Sequence, residues 1–356
     1  MKIISGISGI NNFDIIKSLA DAGLDEFFIG YVPEKWSNRF GYEVSCNRRQ
    51  YSNFQYKSVD QLASMVDFIH NMGKKIFLTF NAHEYNTEQI KIVYNIIKEI
   101  EHIPFDTYIV GNLGLMLYLR DKGIEVPFNL SIGAACNNYE SIEFYIENIP
   151  NIKRIILPRK LTIKEIEDIA LKAKSNNIKL EAFGMAFICT FNDEYCFTWH
   201  DSGNECFCAS PFYENKKADP IITSYTWKED IKKVDFMANL YNKRHALETK
   251  IKELKAKHTN TRQISVKQHN DFNRLYLLNS LEKCGICSFQ KFKEWGIDAV
   301  KLPLRGYSHD VCLGIIKLTR EAVDYNNATV QFCQNLIGNP LFCKGNNCYY
   351  NYPYSN

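Results

Sequence analysis

Residues 74–111 read KKIFLTFNAHEYNTEQIKIVYNIIKEIEHIPFDTYIVG, and the fold can be predicted from the pattern of this stretch. An apolar run at 74–82 predicts a β-strand, and apolar residues at helical spacing over 87–103 predict an amphipathic helix. A second short apolar run follows at 107–111. A strand, a helix and a second strand in this order are typical of a βαβ unit, which belongs to a parallel sheet.

The same alternation extends along the chain in both directions from this unit. Short strands rich in Ile, Phe or Val are followed by amphipathic helices, which predicts seven βα units up to residue 185. An eighth unit follows an interruption, with helices at 288–295 and 309–325 on either side of its strand. The predicted strands lie at 2–8, 26–32, 74–82, 107–111, 128–134, 153–157, 179–185 and 299–302. Eight units predict an α/β fold with a closed (β/α)8 TIM-like barrel, and a doubly wound open sheet is the alternative.

The same pattern divides the chain into four regions. Residues 1–188 hold barrel units one to seven, 189–287 a cysteine-rich and helical insertion, 288–326 the eighth unit, and 327–356 a short cysteine-containing tail. The second half of the insertion is predicted to be a long helix, which either covers the barrel mouth or a partner or is a solvated spacer. The segment 33–54 and the tail from residue 333 lack a helical pattern, so both are predicted to be irregular.

The composition indicates an ordinary soluble protein with a large core, because 46% of its 356 residues are hydrophobic and 23% are charged. The formal net charge of +3 is too small to indicate a nucleic-acid-binding protein from bulk electrostatics. Without a signal peptide or an apolar run long enough to span a membrane, we expect a cytoplasmic protein. Twelve cysteines in a reducing compartment indicate metal binding or redox chemistry rather than disulfides.

Cysteines cluster within residues 181–212, at positions Cys189, Cys196, Cys206 and Cys208. The first of them follows the seventh predicted strand, and Cys284 precedes the helix that leads into the eighth. Because the loops after neighbouring barrel strands meet at one face, thiolates from both regions can converge. We predict that most of the cluster, with Cys284 as a fourth thiolate, holds an iron–sulfur centre. Zinc bound by four cysteines is the alternative.

The motifs around these cysteines resemble those of the collagenase-like peptidase family U32, in its iron–sulfur-containing branch. That branch includes ubiquinone-pathway and tRNA hydroxylation proteins. The matching residues are Glu181, Phe183, Cys189, Cys196, the stretch Cys208-Ala-Ser-Pro211, Cys284 with residues 296–305 (GIDAVKLPLR), and Arg49 with Asn53-Phe54. The resemblance spans most of residues 1–325, and Met185, Ala186, Pro303 and Leu304 depart from the family pattern.

The resemblance implies a barrel with a 4Fe-4S cluster on Cys189, Cys196, Cys208 and Cys284, and with Cys46 as the alternative to Cys189. It also implies oxygen-independent hydroxylation, or a related modification, of a peptide, an RNA or a small molecule, with prephenate as cosubstrate. A peptidase and a non-catalytic iron–sulfur partner subunit are the alternative functions. The sequence shows no nucleophile–base pair or open zinc triad of the kind a peptidase needs.

Cationic side chains follow several of the predicted strands. Arg48 and Arg49 lie in the loop after the second strand, Arg159 after the sixth, and Lys301 and Arg305 at the eighth. Guanidinium groups match carboxylates with paired hydrogen bonds, so this set predicts a site for an anionic substrate or cosubstrate. We predict site roles for Arg49, Arg159, Lys301 and Arg305, and an ordinary ion pair is the alternative for each.

Several cysteines remain outside the predicted cluster. A tail without its own core needs an anchor, and a second metal site on Cys287, Cys333, Cys343 and Cys348 would provide one. The alternative is a reduced, loosely docked tail. Isolated cysteines such as Cys136 and Cys312 are predicted to pack in the core as small apolar side chains. The partners expected for the protein are an anionic small molecule and a peptide, a protein or a nucleic acid.

Overall fold

The computed structural model describes residues 1–7, 12–41, 44–48, 54–187, 193–194, 196, 282–305, 307–337 and 348–350. Most of the predicted insertion therefore lies outside the described residues. The same holds for four of the predicted site residues, Arg49, Cys189, Cys208 and Cys343.

Eleven strands are found in the described residues. They are β1 Lys2–Gly6, β2 Glu26–Tyr31, β3 Gln55–Tyr56, β4 Lys75–Phe80, β5 Thr107–Val110, β6 Phe128–Leu130, β7 Ile152–Ile156, β8 Lys179–Phe183, β9 Met185–Phe187, β10 Glu282–Cys284 and β11 Ala299–Leu302. Eight of them pair in parallel in the order β1, β11, β8, β7, β6, β5, β4, β2, and β1 pairs again with β2. The sheet is therefore a closed barrel, which confirms the predicted (β/α)8 fold.

Helices surround the barrel. They are α1 Phe13–Asp21, α2 Glu34–Phe40, α3 Val59–Asn71, α4 Thr87–Glu99, α5 Leu113–Asp121, α6 Tyr139–Asn148, α7 Ile163–Ser175, α8 Phe289–Trp295, α9 His309–Asp324 and α10 Val330–Ile337. The side chains of Asn12, Ser58 and Thr162 each accept a hydrogen bond from a backbone N–H in the first turn of α1, α3 and α7. Among the described helices, none combines the length and apolar character needed to cross a bilayer.

Two short helices occupy segments that were predicted to be irregular. In α2, Trp36 is fully buried and its indole N–H donates to the carbonyl of Val44 at 2.7 Å. In α10, Cys333 and Ile337 are buried one helical turn apart. Each helix is stabilised by anchoring one or two side chains in the core, a tertiary effect that a short polar or aromatic sequence does not reveal.

Strand β6 is shorter than predicted, because residues 132–134 turn into a single 3-10 turn. The Ser131 hydroxyl accepts the amide N–H of Gly133 at 3.3 Å, and Ala135 has a left-handed φ of 57°. A side chain that bonds its own backbone competes with the strand ladder. The chain therefore bends across the barrel mouth at this point.

The lower half of the barrel interior contains a buried ion cluster around Arg154 of β7. Its guanidinium makes two hydrogen bonds to Glu26, at 2.5 and 3.0 Å, and one to Glu181 at 3.2 Å. It also pairs with Asp298, and the Arg154 side chain is only 5% exposed. The Arg154 guanidinium lowers the pKa of Asp298, against the opposing effect of burial. One cation thus compensates acids from three separate strands or strand ends.

Replacing Arg154 with methionine should strongly destabilise the barrel. The substitution leaves the carboxylates of Glu26 and Glu181 buried without their cation, and breaking a buried pair in this way costs about 3–5 kcal/mol. Arg120→Met on α5 is the matched control, since this arginine is 37% exposed and should contribute less than about 1 kcal/mol. Urea denaturation would measure both free energies of unfolding. Equal effects of the two substitutions would contradict the structural role of Arg154.

Candidate functional site

Arginines from three strand ends converge at the C-terminal mouth of the barrel. Arg48 lies between β2 and β3, Arg159 follows β7, and Arg305 follows β11. The Nε of Arg159 is 3.1 Å from a carboxylate oxygen of Asp193, and Arg48 donates to the Asp193 carbonyl at 2.8 Å. Arg305 donates to the carbonyl of Arg48 at 2.8 Å. These contacts define the arginine cluster, consisting of Arg48, Arg159 and Arg305 around Asp193.

The position of Arg159 is set by an aromatic ring as well as by Asp193. Its guanidinium lies over the ring of Phe183, the last residue of β8, at 4.2 Å from the ring centroid. A guanidinium stacked on an aromatic face keeps its planar edge in one orientation. The adjacent barrel strands β7 and β8 therefore hold Arg159 from below while the segment at Asp193 holds it from the side.

Glu194 adds a buried carboxyl group next to the arginine cluster. Burial raises the pKa of Glu194, the neighbouring Asp193 raises it further, and Lys160 and Arg159 oppose the change. Among the described residues, its Oε2 has no hydrogen-bond partner. We did not predict Asp193 or Glu194 as site residues, although an acidic pair between Cys189 and Cys196 is visible in the sequence.

Lys301 lies inside the barrel below the mouth rather than among the arginines. Its Nζ is 2.7 Å from a carboxylate oxygen of Glu181 and 4.1 Å from the ring centroid of Phe28. Burial lowers the pKa of Lys301, and the Glu181 carboxylate opposes this effect. The predicted set is thus divided: Arg159 and Arg305 meet at the mouth, and Lys301 forms a buried ion pair beneath them.

The described cysteines of the predicted cluster lie beside this mouth. Cys196 is half-buried and follows Glu194 by two residues. Cys284, in β10, is opposite Met185 of β9, so the antiparallel β9–β10 pair brings it to the top of β8. These donors are soft thiols from two parts of the chain at one mouth, and this donor type fits an iron–sulfur or zinc centre. No three described side chains of Cys, His, Asp or Glu converge as metal ligands.

Cys46, the alternative ligand, lies in the same mouth two residues before Arg48. Its thiol donates to the carbonyl of Tyr31 at 3.2 Å and its own carbonyl accepts the hydroxyl of Tyr85. Burial raises the pKa of Cys46 to about 12. In this arrangement the Cys46 thiol is a protonated hydrogen-bond donor near neutral pH.

The three described cysteines of the predicted second site fall into two places. The thiols of Cys287 and Cys333 are hydrogen-bonded to each other, which links the turn before α8 to α10. Cys348 instead forms a parallel backbone bridge with Cys284. Cys343 lies outside the described residues. The isolated Cys136 is buried, as predicted, and Cys312 is half-buried.

Residues 348–350 of the tail pack against Phe183 and Cys284 at the barrel mouth. Tyr349 and Tyr350 are buried, at 5% and 4% exposure, and the Tyr350 hydroxyl donates to the carbonyl of Phe183 at 2.5 Å. The alternative of a loosely docked tail therefore does not hold for residues 348–350. Burial of aromatic rings, rather than a bound metal alone, anchors this segment.

Comparison with known proteins identifies one matching family and several distant relatives. The sequence model for Peptidase family U32 matches residues 11–335. The protein named tRNA hydroxylation protein P of Escherichia coli (strain K12) is 23% identical over 286 residues, which is 75% of this chain and 59% of that protein. An uncharacterized protease of Methanocaldococcus jannaschii is 24% identical over 214 residues, 58% of this chain and 48% of that protein. The chain thus spans about half the length of the curated relatives it matches.

Among solved structures, a U32 peptidase superposes with a TM-score of 0.38 and 11% sequence identity. The superposition covers 52% of this chain and 68% of that one.

Cys136 should resist alkylation in the native protein. Burial raises the pKa of its thiol to about 12, and the nearby Glu194 carboxylate contributes. At pH 8 the thiol is therefore protonated in all but roughly one molecule in ten thousand, and only the thiolate reacts. Mass spectrometry after iodoacetamide treatment, in buffer and in urea, would measure the reaction at this site. Equal rates in buffer and in urea would contradict the prediction.

Proposed function

Because the chain belongs to peptidase family U32, we propose that it is an iron–sulfur enzyme that carries out oxygen-independent hydroxylation, with RNA as its substrate. The observation on which the proposal rests is the arginine cluster at the barrel mouth, next to Cys196. It supports a reaction in which an anionic cosubstrate is held close to a redox centre.

The choice of RNA comes from the names of the relatives. Proteins from Escherichia coli and from two Helicobacter pylori strains, all named tRNA hydroxylation protein P, match this chain at 22–23% identity. The net charge of +3 is too small to indicate a broad positively charged surface for RNA. A substrate RNA would therefore engage the basic mouth locally rather than a broad basic surface.

The proposed cluster ligands are Cys189, Cys196, Cys208 and Cys284. Cys196 and Cys284 approach the mouth from two separate parts of the chain, as cluster ligands commonly do. When bound, a 4Fe-4S cluster would supply one-electron redox chemistry whose potential depends on nearby charge and solvent exposure. The neighbouring Arg48 and Arg159 would offset part of the negative charge of a thiolate-bound cluster.

The arginine cluster would bind and orient a dicarboxylate such as prephenate. Arg48, Arg159 and Arg305 contribute three positive charges, whereas Asp193 and Glu194 contribute at most two negative charges. The raised pKa of Glu194 reduces the negative total further whenever its carboxyl is protonated. The excess of cationic over anionic side chains among these five described residues supports binding of an anionic cosubstrate at the mouth, and planar guanidinium groups would fix its orientation.

A peptidase is a weaker interpretation of the same fold. Ser18 and His309 form a hydrogen bond of 3.1 Å between α1 and α9. The Ser18 hydroxyl donates to the carbonyl of Ile15 at 2.7 Å, so it accepts rather than donates the bond to the imidazole. A serine in this state is not activated as a nucleophile. A non-catalytic partner subunit would keep the cysteines and would not need the arginine cluster.

We also propose a second metal site. The hydrogen-bonded Cys287 and Cys333 would be its nucleus and Cys343 a further ligand, whereas Cys348, which bridges Cys284 in this structure, would have to move to join them.

Anaerobically purified protein should contain about four iron and four sulfide per chain, as a 4Fe-4S cluster requires. Cys196→Ala and Cys284→Ala should each lose most of the iron, because each removes a proposed ligand. Cys136→Ala is the matched control and should retain the wild-type content. Metal and sulfide analysis of the four proteins would measure this. Zinc without sulfide in the wild type would refute the proposed redox function.

The same variants test the substrate. In a host strain from which the gene is deleted, tRNA digests analysed by liquid chromatography and mass spectrometry should lack a hydroxylated nucleoside. The wild-type gene should restore that nucleoside, and the Cys284→Ala gene should not. Unchanged tRNA after deletion would rule out RNA as the substrate and would leave peptides and small molecules.

Arg159→Gln and Arg305→Gln should each weaken prephenate binding by about tenfold or more, because each removes a charge-assisted hydrogen bond. Arg320→Gln is the matched control, since Arg320 pairs with Asp25 at 3.0 Å and lies on α9. Its substitution changes the net charge equally and should alter the affinity by less than about twofold. Isothermal titration calorimetry would measure four dissociation constants, those of the wild type and the three variants. Equal losses in all three variants would show that only net charge matters.

A further inference from the structure

Residues 348–350 lie outside the stretch that matches the family, which ends at residue 335. They nevertheless pack directly against Cys284 and the end of β8. We name this segment the C-terminal clasp. The clasp thus lies beyond the family match, whereas the residues it contacts, Phe183 and Cys284, lie within that match.

The first contact of the clasp is with the backbone of Cys284. The amide N–H of Tyr349 donates to the carbonyl of Cys284 at 2.9 Å, and Cys348 forms a parallel bridge with the same residue. The Tyr349 ring stacks on Phe183, with centroids 6.0 Å apart and an interplanar angle of 17°. The clasp therefore crosses from Cys284 to the ring that supports Arg159.

The second contact is made by Tyr350, which lies over Gly285. A Cβ atom at Gly285 would approach the Tyr350 ring to 2.7 Å, so a side chain there would displace the ring. The Tyr350 hydroxyl bonds the Phe183 carbonyl, and its ring meets Phe292 edge-on at 5.3 Å. Tyr350 thus packs directly on the turn that follows Cys284.

We propose that Tyr349 and Tyr350 are positioning residues of the cysteine site, which close it on the Cys284 side and set how readily reagents reach that thiol. In the closed arrangement Cys284 is only 7% exposed. The Tyr349 ring and the Tyr350 hydroxyl hold Phe183, and through it Arg159, in place. The assignment of Cys284 to a metal centre rests on the proposed function, whereas its shielding by the clasp does not.

The test measures alkylation of Cys284 in reduced, metal-free, full-length protein. The Cys284 thiolate displaces iodide from iodoacetamide and forms a thioether, which peptide mass spectrometry distinguishes from alkylation at Cys287. Tyr350→Ala should accelerate the reaction by about tenfold, because it removes the ring that closes the site. Gly285→Ala should accelerate it similarly by displacing the ring. Tyr350→Phe, which keeps the ring and loses one hydrogen bond, should have a smaller effect.

Two controls separate local opening from unfolding. Tyr94→Ala on α4 removes a tyrosine remote from the site and should leave the Cys284 rate unchanged. Cys136 is an internal reference in every sample, because a variant that fails to fold would expose Cys136 as well as Cys284. Acceleration at Cys284 without acceleration at Cys136 supports the clasp. Equal Cys284 rates in wild type, Tyr350→Ala and Gly285→Ala would overturn it.

The alkylation result for the clasp can be distinguished from failure of the proposed iron–sulfur function. If wild-type protein holds an iron–sulfur cluster, Tyr350→Ala should also release iron to a chelator about tenfold faster. If wild-type protein holds none, accelerated alkylation of Cys284 would still establish the clasp, and the cluster alone would be refuted.

Discussion

The pairing of β1 with β11 is the constraint on which the rest of the structure depends. The first strand and the eighth align from Lys2 opposite Ala299 to Ser5 opposite Leu302, and this closes the sheet. The eighth strand comes from beyond the long insertion, so closure brings both flanks of that insertion to one mouth. Arg305 and the β9–β10 pair reach the arginine cluster only because this last strand lies between β1 and β8.

Charge is distributed in two layers along the barrel axis. Arg154 compensates buried acids in the lower half, and Lys301 pairs with Glu181 just above them. Because these cations are neutralised within the barrel, they add little to the field at the mouth. A second group of cations lies higher, in the loops that hold Arg48, Arg159 and Arg305 around Asp193. Stability and the proposed anion binding thus involve different arginines, as expected for the two ends of a parallel barrel.

Phe183 connects the parts of the mouth. It ends β8, supports the guanidinium of Arg159 on its ring, and accepts the Tyr350 hydroxyl at its carbonyl. Tyr349 stacks on the same ring. An aromatic residue can make these contacts at once because its faces and its backbone point in different directions. The tail, the barrel and the proposed anion site therefore share one rigid neighbour.

Hydrophobic periodicity in the sequence by itself determined the eight βα units and the closed barrel, because each strand and helix buries its own apolar face. Local motifs identified the family and placed Arg159 and Arg305 at the mouth, since strand ends define that face. Only the tertiary structure decided that Lys301 is buried against Glu181, that Asp193 joins the arginines, and that Cys348 lies beside Cys284. Those contacts join residues far apart in the chain, and long-range packing, which no local pattern encodes, determines them.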